Sequence, residues 1–145
     1  MFLKFSSLVA FAISVLGMVY LFKNHSILSD NPVVIIIQIL AFGLMIWARM
    51  TFGFKSFHAS ANAFKEKLVT NGPYKWLRHP IYAAVIYFFL ACIISFPNIE
   101  TIVAVALIVF STIVRMLLEE KSLKENFEEY TSYSKRTKRL IPFVV

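Results

Sequence analysis

The chain has 145 residues, of which 59% are hydrophobic and only 16% charged, with a formal net charge of +7. A soluble domain of this size carries about a quarter charged residues, so the composition excludes an ordinary water-soluble fold. With no basic helix or aromatic-basic pattern beside it, the positive charge is read as facing anionic lipid headgroups, not nucleic acid.

A helix needs about 20 apolar residues to cross a bilayer, and four stretches qualify: residues 5–22, 33–52, 81–96 and 99–118. The first has Lys4 in front of it but no small-x-small cleavage site after it, so it is read as a retained helix and not a signal peptide. The third is short and extends back through Pro80, since proline suits a first helical position. Cys92 lies within it, has no partner for an internal disulfide, and is read as a packed thiol. The third and fourth spans are joined by Pro97-Asn98, a link short enough to force an antiparallel helical hairpin. The start of the third span, at His79, must then approach the end of the fourth, at Glu119.

Loop charges predict the orientation. Lys55, Lys65, Lys67, Lys75 and Arg78 lie between the second and third spans against Glu66 alone. Lys121, Lys124, Lys135, Arg136, Lys138 and Arg139 follow the fourth. The other two connections hold only Lys23 with Asp30, and Glu100. The positive-inside rule then predicts a multi-pass protein with both termini, the middle loop and the active site in the cytoplasm. Beyond residue 118, Leu123, Phe127 and Tyr130 recur at helical spacing among Lys and Glu. That predicts a C-terminal amphipathic cytoplasmic helix lying along the membrane surface or capping the bundle, onto which Tyr133 and Leu140-Ile141-Pro142-Phe143 can dock. The fold class expected is all-α, with about four transmembrane helices and this surface helix. It forms one membrane-embedded domain over 1–145: two N-terminal spans in 1–53, then motif loop, hairpin and tail in 54–145.

Two clusters carry the chemistry. In Arg78-His79-Pro80-Ile81-Tyr82, the arginine obeys the charge rule, the proline starts a helix and the tyrosine fits an aromatic belt. His79 adds an imidazole that titrates near neutrality. In Arg115-Met116-Leu117-Leu118-Glu119-Glu120, Arg115 and Glu119 share a helix face, being four residues apart. The two glutamates point in different directions and so cannot share one role. Charge at the base of a span is a functional signal, and the cluster is read as a polar pocket floor. Arg49 is read as snorkelling to lipid phosphate. His25 and His58 lack ligand spacing, so no metal is expected. No glycine-rich phosphate loop appears, and no Ser-His-acid arrangement can be assembled.

At these residues the chain resembles the isoprenylcysteine carboxyl methyltransferase group and its relatives, the phospholipid methyltransferases. Leu68, Val69, Thr70, Gly72, Tyr74, Trp76, Arg78, His79, Pro80 and Tyr82 match the first family motif. Glu119, Glu120, Leu123, Phe127, Tyr130, Tyr133 and Pro142 match the second. The resemblance covers the half from about Lys65 onward, and the first two spans share only their hydrophobicity. It implies a membrane methyltransferase using S-adenosylmethionine and a lipid or prenylated acceptor. Carried across, the cofactor residues are Glu66, Lys67, Leu68, Val69, Tyr74, His79, Pro80, Ile81, Tyr82 and Glu119. The substrate-side arginine is Arg115, and the catalytic pair is Arg115 with His79. Two departures stand out: Ala84 replaces a glycine, and Phe127-Glu128-Glu129-Tyr130 lacks another, which implies a tail helix that runs on unbroken. Carboxyl O-methylation of an isoprenylcysteine-type acid is the first expectation. Phospholipid amine N-methylation is the alternative, with a small membrane transporter or a sterol-reductase-like enzyme behind it.

Overall fold

The structure, a computed structural model, describes residues 2–53 and 68–141. Its helices over these residues are α1 (Phe2–Lys23), α2 (Pro32–Phe52), α3 (Pro80–Ser95), α4 (Ile99–Asn126) and the short α5 (Tyr130–Arg136), with a 3-10 turn over Gly72–Lys75. α1, α2 and α4 are long and apolar enough to cross a membrane, and α3 is a shorter apolar helix. At 1.5 Å per residue, α3 is about 24 Å long and α4 about 42 Å. Against a hydrocarbon core of about 30 Å, α4 must project well beyond one surface.

The helix ends follow from local chemistry. Asn31 caps α2, its side chain accepting from the Val33 amide at 3.0 Å, with Pro32 in the first turn. Asn98 caps α4 in the same way, accepting from the Thr101 amide at 2.8 Å. Because Asn98 is also the last residue of the three-residue link 96–98, one side chain both ends the hairpin turn and starts the next helix. The short link thus gives the antiparallel α3–α4 pair that its length demands.

The packed pairs are α1 with α4, α4 with α3, and α3 with α2. The two consecutive helices α1 and α2 therefore stand at opposite ends of a row, α1–α4–α3–α2. The 24–31 connector bridges the row at the hairpin end. Ile27 packs against the buried cluster of Leu21, Phe89, Cys92, Ala104, Val105 and Ile108. The Ile27 carbonyl accepts from Gln38 Nε2 at 2.8 Å, and Ser29 is hydrogen-bonded to Ser95. Gln38 thereby satisfies its amide inside α2 by holding the connector down.

α1 and α4 approach closely because their facing residues are small. Ser7, Ala10, Ser14 and Gly17 are all buried on α1. The Ser14 and Ser111 hydroxyls are 2.6 Å apart, and a Cβ added at Gly17 would stand 2.8 Å from Ile108 Cγ1. Such a small-residue seam is how membrane helices gain van der Waals contact when lipid offers no hydrophobic drive.

The tail departs from the sequence expectation. α4 runs on past residue 118 through Leu123 to Asn126, and the separate C-terminal helix, α5, begins only at Tyr130. The tail helix is also not unbroken, since Phe127 is extended at φ −130°, ψ 112° and ends α4 before α5. Tyr133 docks not on a surface helix but on the motif segment, donating its hydroxyl to the Tyr74 carbonyl at 2.7 Å. Leu140 lies against α3, where its carbonyl accepts from the Tyr87 hydroxyl. Pro142 and Phe143 fall outside the described residues.

Candidate functional site

The motif-bearing ends of the helices meet at the end of the row opposite the hairpin. Gly72 sets the approach. Its φ is +56°, and a Cβ there would lie 2.5 Å from Thr51 Oγ1. Only glycine suits both the left-handed backbone and the contact. The turn it opens packs on the end of α2 through two ring pairs, Trp47 with Trp76 at 6.1 Å and Phe52 with Tyr74 at 5.8 Å. Tyr74 is thereby buried, and burial raises its phenol above the ordinary pKa. Leu68 and Val69, just before the turn, are half-buried.

The chain then runs straight into α3, and the tail clamps it there. The Arg78 amide donates to the Lys138 carbonyl at 2.7 Å, the Lys138 amide to the Trp76 carbonyl at 3.0 Å, and the His79 amide to the Arg139 carbonyl at 3.2 Å. This parallel pairing around Leu77 and Lys138 brings Arg139 beside Arg78 and His79.

One carboxylate gathers these cations. Glu120 is 3% exposed. Its oxygens lie 3.0 Å from Arg139 Nη2, 3.6 Å from Arg78 Nη1 and 3.4 Å from His79 Nε2. The Arg139 contact is a fork, with Nε 3.2 Å from both oxygens. The imidazole is within ion-pair reach of Glu120 but is not aligned for a hydrogen bond. Its ring also lies 5.7 Å from that of Tyr82, centroid to centroid.

The neighbouring glutamate faces elsewhere. Successive residues on a helix are about 100° apart, so Glu119 turns away from the basic cluster toward α3. There the Tyr82 hydroxyl is hydrogen-bonded with both the Glu119 carboxylate and the Arg115 guanidinium. Arg115 is 8% exposed and also reaches α1, where Nη1 donates to the Ser7 carbonyl at 3.5 Å and Cζ lies 4.9 Å from the Phe11 ring centre. Tyr82, Arg115 and Glu119, which stood in two separate motifs, are thus brought together. Pro80 is buried and Ile81 half-buried in the same first turn of α3. Glu66 and Lys67 lie outside the described residues.

The donor set divides by chemistry. A half-buried carboxylate next to a phenol suits a cationic group such as an ammonium or a sulfonium. The arginine between them suits a carboxylate or phosphate, for which its planar fork is matched. Three contributors were not singled out in the sequence as site residues. Arg139 meets Glu120 and locks the motif segment, and Ser7 and Phe11 hold the far side of Arg115. Adjacent glutamates already signalled two directions, and the 7-10-14-17 spacing of small residues signalled an α1 packing face. Nothing in the sequence told which arginine meets which acid.

A family model described as phospholipid methyltransferase matches residues 33–130, from the start of α2 to the start of α5. No curated protein and no solved structure matches the chain.

Proposed function

The chain belongs to the phospholipid methyltransferase family, and we propose that within that class it methylates the carboxylate of a lipophilic, isoprenylcysteine-type acid. Its three long apolar helices and its family make it an integral membrane protein of a methyltransferase class that acts on lipid acceptors. S-adenosylmethionine supplies the reactive methyl, held on a sulfonium. The observation that carries the proposal is the meeting of Tyr82, Arg115 and Glu119 at one end of the bundle.

Each residue has a role in this reading. Glu119 offers its carboxylate to the cationic part of the cofactor, and Tyr82 holds that carboxylate in place. The reading also assigns the cofactor to Leu68, Val69, Tyr74, His79, Pro80 and Ile81, and to Glu66 and Lys67, which lie outside the described residues. Arg115 orients the acceptor's carboxylate. S-adenosylmethionine, if held by Glu119 and the motif residues, would supply an electrophilic methyl to a carboxylate oxygen positioned by Arg115. No proton moves, so alignment and a dry site are sufficient.

A carboxylate acceptor needs no base, whereas an amine must shed a proton, for which His79 is the candidate base; its Nε2 lies 3.4 Å from Glu120 without an aligned hydrogen bond. The family description favours the second reading, N-methylation of a phospholipid amine. The positive loops support placing the motif end in the cytoplasm, where the polar cofactor is available. Purified protein incubated with methyl-labelled S-adenosylmethionine and lipid acceptors separates the two products. The proposal expects a base-labile methyl ester; a base-stable methylamine would replace it with the second reading.

A further inference from the structure

We propose that α1 supplies one half of the acceptor site, with Phe11 fixing the plane of the Arg115 guanidinium and the Ser7 hydroxyl donating to the anionic group that Arg115 holds. The inference rests on the methyl-transfer reading above and extends it to a helix outside the 33–130 family match.

Ser7 and Phe11 are four residues apart, so they share one face of α1. Both meet Arg115: Ser7 through its carbonyl at 3.5 Å from Nη1, Phe11 through its ring, 4.9 Å from Cζ. Tyr82 approaches the same guanidinium from α3. The arginine is therefore bracketed, by α1 on one side and α3 on the other. An aromatic face against a guanidinium fixes its plane while leaving its edge to bind anions.

The Ser7 side chain adds a second, independent sign. The residue is 0% exposed, and its hydroxyl has no hydrogen-bond partner among the described residues. Buried hydroxyls are normally paired. A compact oxyanion seated on Arg115 would accept from it. The ligand is then an anionic group, a carboxylate or a lipid phosphate, on a hydrocarbon chain. The chain has a lateral route, because α1 and α3 flank α4 without forming a packed pair of their own. Phe11, beside the Arg115 guanidinium, is 43% exposed.

The test uses the full chain in phosphatidylcholine nanodiscs and equilibrium binding of two probes. S-farnesyl-N-acetylcysteine presents a carboxylate, and phosphatidylethanolamine presents a phosphate; the farnesyl probe's uncharged amide is the control. Wild type should bind one charged probe saturably and the amide weakly, and the probe that binds identifies the source of the anion. Ser7→Ala and Phe11→Leu should each weaken that binding about tenfold, as expected for losing one contact to a charged group. Phe11→Tyr should restore it, while S-adenosylmethionine affinity and unfolding temperature stay at wild-type values. Unchanged binding in both variants overturns the role of α1 and leaves the methyl-transfer reading standing. Equal loss for acid and amide also overturns it, since the effect would then be on packing. Failure of the wild type to bind either charged probe overturns it too, and a labelled-methyl assay on lipid extract then decides separately whether transfer itself survives.

Discussion

Glu119 and Glu120 are chemically identical neighbours with different work. Glu120 sits against Arg78 and Arg139 with the His79 imidazole beside it, so removing its charge leaves the two guanidiniums without their carboxylate. Breaking a buried pair from one side costs about 3–5 kcal/mol. Glu120→Ala should therefore lower stability by about 3 kcal/mol, measured as a drop in thermal unfolding temperature in detergent, and should loosen the tail. Arg115→Ala should act differently, lowering turnover at least tenfold with little change in cofactor affinity, as expected of a residue that orients the acceptor. Paired kinetics and calorimetry check this; equal loss of both quantities would refute the division of roles. That the two acids diverge was legible from helix geometry alone. The partner of Glu120 was not, because Arg139 is 19 residues away and reaches it only through a backbone pairing that no periodicity encodes.

At the scale of elements, the hairpin was legible because so short a link leaves no other geometry. The tail was not. Leu123 and Phe127 continue a helical pattern, and sequence does not say where the helix stops; the arrest comes from α5 folding back onto Tyr74 and Trp76. The clamp predicts an alkaline limit. Burial pushes the Tyr133 phenol up to about 12 from its ordinary 10.0. A raised folded-state pKa gives stability that is complete below the unfolded value and lost as pH rises through the folded one. The tail should thus detach between about pH 10 and pH 12, and Tyr133→Phe should remove that transition; proteolysis of the tail reads it. Gly72→Ala should also destabilise, because φ is +56° and the added methyl meets Thr51. A positive-φ strain of about 1 kcal/mol or more is expected before the clash is counted.

At the scale of the whole molecule, composition alone declared a membrane protein, and the loop charges predict its sidedness. The row order α1–α4–α3–α2 was hidden, since chain order suggests that α1 and α2 are neighbours. What separates them is the small-residue seam that binds α1 to α4. Gly17→Leu should prise the two apart, lowering the unfolding temperature and displacing Phe11 from Arg115. The row also explains how two distant motifs make one site. α3 and α4 run antiparallel from a short link, so polar groups at their far ends converge while apolar faces meet lipid. We propose that this convergence holds S-adenosylmethionine, and calorimetric titration of the cofactor into purified wild type and Glu119→Ala is the decisive measurement. Wild type should bind saturably, and a variant that unfolds at the wild-type temperature should not. Equal affinity in the two proteins, or no binding by wild type, would contradict it.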